Sequence, residues 1–310
     1  MLENLNIAVL GDYTLLENLG KRGTTSDISL YDRKSRDKII TYIAPISFPD
    51  KIQSLIQVLN MTEFVILNLK SLDKYFAEQV IALDSLEISS GFILSSYEVD
   101  TIKLNQIIKD TSVANFKFID NIDSLKIEID KLTSQQKDGD LIIPIDHSFD
   151  VKGVGTVILG VIRQGKINVY DKLKLLPLNR EILVKSIQIH DDPANIAFSN
   201  TRVGLSLKGV APDELERGDI ICSGKEIKVS SLELEVFNFS KIKYYKKEIT
   251  ENQNFLISVG LQIKPLRILI QDSKVKLILE KPIVYYSNQK FIILKPDSQS
   301  TRIIAKGTLP

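Results

Sequence analysis

Asp146-His-Ser-Phe-Asp-Val-Lys-Gly-Val-Gly-Thr-Val157 is the stretch that decides the fold. It lies between strand-like runs at residues 141–145 (Leu-Ile-Ile-Pro-Ile) and 155–162 (Gly-Thr-Val-Ile-Leu-Gly-Val-Ile). Gly153 and Gly155 mark where the chain turns sharply or another backbone comes close, and Gly165 and Gly218 read the same way further on. Working outward, residues 172–176, 181–187 and 202–207 form further short apolar runs separated by Gly and Asp turns. No helical period survives between 141 and 225, and strands at this spacing predict a small β-barrel.

Downstream, residues 232–236 (Leu-Glu-Leu-Glu-Val) alternate strictly. Runs at 255–259, 267–270, 274–279, 283–286, 290–294 and 301–304 complete a second barrel. Upstream the pattern changes. Residues 5–10, 27–32, 38–44, 64–69, 91–95 and 116–119 read as strands, the second and third forming a hairpin around the polar turn 33–37. Between them, helical spacing is found from residue 50 (Ile52, Leu55, Ile56, Leu59), over 72–86, over 102–109 and over 121–133. Strands alternating with helices predict a mostly parallel sheet covered on both faces, the frame of nucleotide-binding folds, although the frame alone does not establish nucleotide binding. The polar segment Ser134-Gln-Gln-Lys-Asp-Gly-Asp140 marks the first boundary. The expected domains are 1–137 (α/β), 138–226 (antiparallel barrel) and 227–310 (antiparallel barrel).

Composition removes several functions. The 310 residues are 44% hydrophobic and 25% charged, which is globular. No apolar run is long enough to span a bilayer and the N-terminus lacks a basic signal-peptide start, so no membrane partner and a cytoplasmic location are expected. A single cysteine, Cys222, excludes an intramolecular disulfide and a multi-cysteine zinc site, and with two histidines, His147 and His190, no metal centre is expected. Cys222 reads as a core thiol, and His190-Asp-Asp192 as a solvated loop. The net charge of +1 hides an asymmetry: residues 1–140 carry 15 Lys/Arg against 21 Asp/Glu, residues 141–310 carry 25 against 18. A polyanionic partner would meet the rear half, and a protein partner could dock on the acidic front domain.

With these motifs in place, the stretch at 146–157, Gly160, the Arg163-Gln-Gly165 turn, Val169-Tyr-Asp-Lys-Leu173 and Glu216-Arg-Gly-Asp-Ile220 resemble, in order, the second domain of translational GTPases of the elongation factor Tu superfamily. Within it the pattern is most similar to the selenocysteine-specific elongation factor SelB, and Thr301-Arg-Ile-Ile-Ala-Lys-Gly307 resembles the close of the third domain. The resemblance implies a G-domain-like α/β sheet followed by two barrels that face tRNA or the ribosome.

The front domain departs from that family at each reacting position. A phosphate-binding loop needs G-x-x-x-x-G-K-S/T, with amides cradling phosphate, a lysine on the terminal phosphates and a hydroxyl on magnesium. Here the Gly, Lys and Ser/Thr positions hold Leu16, Glu17 and Asn18. Lys21-Arg-Gly-Thr-Thr-Ser-Asp27 resembles the first switch segment, with Thr25 at the magnesium-sensing threonine. The Asp-Thr-Pro-Gly-His motif falls on residues 44–48, which puts Ala44 at the magnesium-side Asp, Ser47 at the γ-phosphate Gly and Phe48 at the water-positioning His. The guanine-reading Asn-Lys-x-Asp meets Ser95-Ser-Tyr-Glu-Val-Asp100, with Asp100 late in register. The expected protein therefore resembles the archaeal SelB-like relatives without GTPase motifs: no catalytic residue, no cofactor, and GTP with magnesium only if the nucleotide site has been rebuilt.

Candidate anion or RNA contacts follow from charge and aromatic content. Phe239-Ser-Lys-Ile-Lys-Tyr-Tyr-Lys-Lys247 interleaves Lys241, Lys243, Lys246 and Lys247 with Tyr244 and Tyr245, a composition that suits phosphate contact and base stacking. The alternative is a lysine-edged strand that discourages edge pairing. Lys152, Arg163 and Arg202 are further candidates on the middle barrel, and Lys21 and Arg22, with Thr24 and Thr25, could bind an anion at a loop.

Overall fold

Residues 5–10 are apolar but for Asn6, and in the computed structural model they form the centre of β1 (Glu3–Gly11), buried on both faces. Asn6 remains inside because Glu63 Oε2 accepts from both its backbone N–H (3.0 Å) and its side-chain amide (3.1 Å). All residues are described except Met1, Arg36, Lys225, Phe237, Asp272 and Ser273, together with the Thr24 side chain. Thr24's part in an anion site and Arg36's in the 33–37 turn thus lie outside the described residues.

The chain packs as two compact units, residues 1–134 with 296–304 and residues 135–295 with 305–310. In the first unit, β1 leads through a one-turn α1 (Leu16–Leu19) into β2 (Lys21–Thr25), β3 (Ser29–Lys34), β4 (Lys38–Ala44), α2 (Ile52–Met61), β5 (Phe64–Leu69), α3 (Lys74–Ser85), β6 (Gly91–Ser95), α4 (Thr101–Ile108), β7 (Lys117–Ile119) and α5 (Ile122–Lys131). The seven strands stand in the order β2-β3-β4-β1-β5-β6-β7. The pairs β4–β1, β1–β5, β5–β6 and β6–β7 are parallel, while β3 runs antiparallel to β2 and β4. The predicted hairpin is the β3–β4 pair, starting two residues later than the sequence suggests. Strand order reverses about β1, so the crevice beyond the carboxyl ends of β1 and β5 is where an open α/β sheet offers a ligand site.

The second unit holds both antiparallel barrel regions. Ile142–Val151 pairs with Gly155–Val161 through the turn opened by Gly153 and Gly155, both at positive φ. The ring continues through Arg202–Lys208, Arg180–Ile189, Lys172–Leu176 and Ile220–Cys222 back to Ile142–Val151, which closes the sheet. Its core packs Ile143, Ile145, Ile158, Val184, Leu205 and Ile221. The other sheet has seven strands, among them Phe255–Val259, Gln262–Gln271, Lys274–Leu279 and Lys290–Leu294, with the short edge strand Ser240–Lys241 against Ile303–Thr308. Two- and three-residue strands such as Lys166–Asn168 and Ile196–Phe198 escape sequence reading, because periodicity needs more residues than they have. No helix among the described residues is long and apolar enough to cross a membrane.

Candidate functional site

The crevice is built from the exit of β1. Gly11 sits at φ +85°, and a Cβ there would run into the Asn68 carbonyl oxygen. Asp12 follows, its N–H donating to that same carbonyl at 2.9 Å. The Asp12 carboxylate accepts from the Thr14 N–H (3.1 Å) and hydroxyl (2.7 Å) and forms an ion pair with Lys70 Nζ at 2.7 Å. Burial pushes the Asp12 carboxyl up, but Lys70 and Thr14 more than offset it and leave its pKa below the ordinary value. Leu16 points into the core, and Glu17 and Asn18 are exposed on a helix of four residues.

The end of β4 forms the opposite wall. Ala44 is buried, and the Ser47 N–H donates to the Asp27 carbonyl at 3.1 Å. Phe48, 4% exposed, packs edge-on against Tyr75 with ring centroids 6.1 Å apart. The Arg302 guanidinium lies 5.6 Å from the Phe48 ring centroid, donates to the Pro49 carbonyl and forms a bidentate pair with the buried Glu78. Tyr13 donates its phenol proton to the Pro45 carbonyl at 3.1 Å, and burial pushes that phenol well up. Between these walls lies a cavity of about 330 Å³.

The switch-like segment is an edge strand rather than a loop: Lys21 and Arg22 pair with Asp32 and Tyr31 of β3. Thr25 Oγ1 accepts from Arg22 Nε at 3.3 Å and lies 3.2 Å from Ser29 Oγ, so both polar side chains are used locally. Lys21 is exposed. Asp100 caps α4 by accepting from the Lys103 N–H at 3.0 Å, which gives this late-register carboxylate a structural task.

On the middle barrel, Lys152 is exposed at the hairpin tip and Arg163 is half-buried. Arg202 turns inward: its guanidinium grips Asp146, which is 1% exposed and also accepts from His147 Nδ1 at 2.6 Å. Burial would raise the Asp146 carboxyl, yet Arg202 and His147 hold it at about 2. Arg202 is therefore corrected from an RNA-facing candidate to the partner of a buried acid. On the last sheet, Lys241, Lys243, Tyr244, Lys246 and Lys247 are exposed, with Lys243 stacked 4.9 Å over the Tyr244 ring. Tyr245 is 1% exposed and cannot stack a base, a second correction: Ile242 and Tyr245 are the residues this segment gives to the core. Lys241 does lie on an edge strand, as the alternative reading had it.

Residues 155–222 match the family described as elongation factor Tu domain 2. The chain is 36% identical over 313 residues to an uncharacterized protein of Methanocaldococcus jannaschii, covering 99% of this chain and all of that protein. It is 31% identical over 231 residues to the selenocysteine-specific elongation factor of the same organism, covering 66% of this chain and 49% of that factor.

The chain belongs to the SelB-like elongation factor family.

The crystal structure of SelB from Methanococcus maripaludis, in complex with the GTP analogue GppNHp, superposes with a TM-score of 0.85 at 20% identity, covering 99% of this chain and 79% of that one. The likeness gives this SelB-like chain its fold: a parallel-strand mixed sheet followed by antiparallel barrels. It spans about half of the M. jannaschii selenocysteine factor's length. Sequence reasoning missed Lys70, Asp73, Tyr75 and Gln79, which line the crevice of this SelB-like chain. Their signal was positional: they follow β5, next to the strand about which the sheet reverses.

Proposed function

We propose that this SelB-like chain is a translation-factor relative that works as a cytoplasmic binding protein, without a GTP cycle, and contacts tRNA or the ribosome through its barrels. Three domains at 1–137, 138–226 and 227–310 serve that role, the first as scaffold. One observation carries the reading: the exit of β1 offers a triphosphate the Asp12 carboxylate, and the one-turn helix behind it carries Glu17 where a phosphate loop has its lysine. Asp12 draws Lys70 into an ion pair rather than leaving it to meet phosphate, and Glu17 adds repulsion where phosphoryl binding depends on attraction. Ala44 supplies no carboxylate for magnesium, and Phe48 no ring nitrogen to orient water. This donor set does not fit a magnesium nucleotide.

The exposed lysines 241, 243, 246 and 247 around Tyr244 support RNA contact by the last sheet. A nitrocellulose filter assay with tRNA across a salt series tests this. Retention should fall steeply with salt, and replacing the four lysines by alanine should weaken it and flatten the slope. Salt-independent retention, or none at low salt, would contradict the RNA part and favour a protein partner on the acidic front domain.

A further inference from the structure

We propose that the crevice outside β1 and β5 binds an alkylguanidinium, the head group of an arginine side chain or of a free guanidino-amine. The cavity of about 330 Å³ is lined by Asp12, Tyr13, Phe48, Asn68, Tyr75 and Gln79 among others. Gln79 is the telling residue. It is 4% exposed, and its Oε1 has no hydrogen-bond partner among the described residues. A buried acceptor without a donor is a standing cost that a ligand N–H relieves.

The rest of the lining points to the same chemistry. Tyr13, Phe48 and Tyr75 line the cavity, and aromatic faces attract cations. Asp12 supplies a carboxylate whose present partner, Lys70, keeps 69% of its side chain exposed. A surface pair of that kind holds weakly and exchanges readily. A guanidinium can take the place of the ammonium on Asp12 with two parallel hydrogen bonds and stack on an aromatic wall at the same time. Arg302 already holds its guanidinium over Phe48 and Lys74 its ammonium over Tyr75, so these rings attract cations but each carries one, and stacking of the ligand falls to Tyr13. A phosphate ligand would have to compete with Asp12 for Lys70. The inference stands apart from the RNA reading, since a chain that bound no RNA could still carry this site.

Calorimetric titration of the full chain with three probes tests it: agmatine, acetyl-Gly-Arg-Gly-amide, and the citrulline peptide in which a neutral urea replaces the guanidinium. Agmatine or the arginine peptide should bind saturably with a dissociation constant below about 1 mM, and the citrulline peptide at least about tenfold more weakly. Tighter binding of the peptide assigns the site to a protein side chain, and tighter binding of agmatine to a free small cation. Asp12→Asn should weaken the charged probe about tenfold with the thermal melt intact. If Asp12→Asn does not fold, Lys70→Ala serves, because removing the competing ammonium should tighten agmatine several-fold. No saturable binding up to about 10 mM, equal binding of the citrulline peptide, or a charged probe indifferent to both substitutions overturns the proposal.

Discussion

At the scale of single residues, two buried carboxylates in the second unit have opposite fates. Asp146 is held at about 2 because, although burial opposes its charge, Arg202 and His147 more than offset that cost. Removing one partner of a buried pair leaves an uncompensated charge, so Arg202→Ala should cost about 3–5 kcal/mol by chemical denaturation. Asp219 goes the other way: burial pushes it up to about 6, only partly opposed by the hydrogen bond it accepts from the Glu216 N–H and by Lys264. Because its folded pKa lies above the ordinary 3.8, its favourable contribution is complete below about pH 3.8 and is lost as pH rises through about 6. Asp219→Asn should therefore raise stability at pH 7.5, by up to about 3 kcal/mol, and have little effect near pH 4. A melting series across that range checks it. Glu216 beside it is held at about 2, chiefly by hydrogen bonds from Lys264 and Lys281. The loss of stability near pH 6 thus belongs to Asp219 and not to Glu216.

At the scale of elements, the exit of β1 sets the crevice and depends on one glycine. Gly11→Ala would force an L-residue to φ +85° and drive its Cβ into the Asn68 carbonyl, so it should destabilise by about 2 kcal/mol or more in a thermal melt. Asp73 caps α3 by accepting from the Tyr75 and Phe76 N–H groups, both at 2.9 Å, and Asp73→Ala should cost about 1 kcal/mol. These elements also mark how far the sequence could be read. Long periodic segments were legible: α2, α3, α4 and α5 lie where helical spacing predicts them, and 172–176, 255–259, 274–279 and 290–294 are strands end for end. Each contains enough residues for one face to declare itself. The switch-like residues 21–25 were not legible as an edge strand, because four of them are exposed or lie on no apolar face. Neither could the sequence tell Tyr245 from Tyr244. A tyrosine's burial is decided by its neighbours, and in this segment Tyr245 N–H donates to the Ile242 carbonyl, in a turn that buries both residues. The crevice lining was hidden for a related reason: residues 68–79 come together with 11–13 and 48 only once the sheet order is known.

At the scale of the whole molecule, the reading we propose is of a family fold whose front domain carries Leu16, Glu17, Asn18, Ala44, Ser47 and Phe48 where the resemblance puts the phosphate and magnesium contacts. In switching GTPases the γ-phosphate orders the loops that control partners, and without it that timer has no driving ligand. The four exposed lysines at 241–247 should then give RNA affinity that depends on salt and not on guanine nucleotide, which filter binding with and without GTP checks. The most direct test of the central claim is fluorescence titration of the full chain with N-methylanthraniloyl-GTP in the presence of magnesium. The account predicts no saturable signal up to concentrations of about 1 mM, with or without RNA. A micromolar dissociation constant that vanished when magnesium was chelated would contradict it.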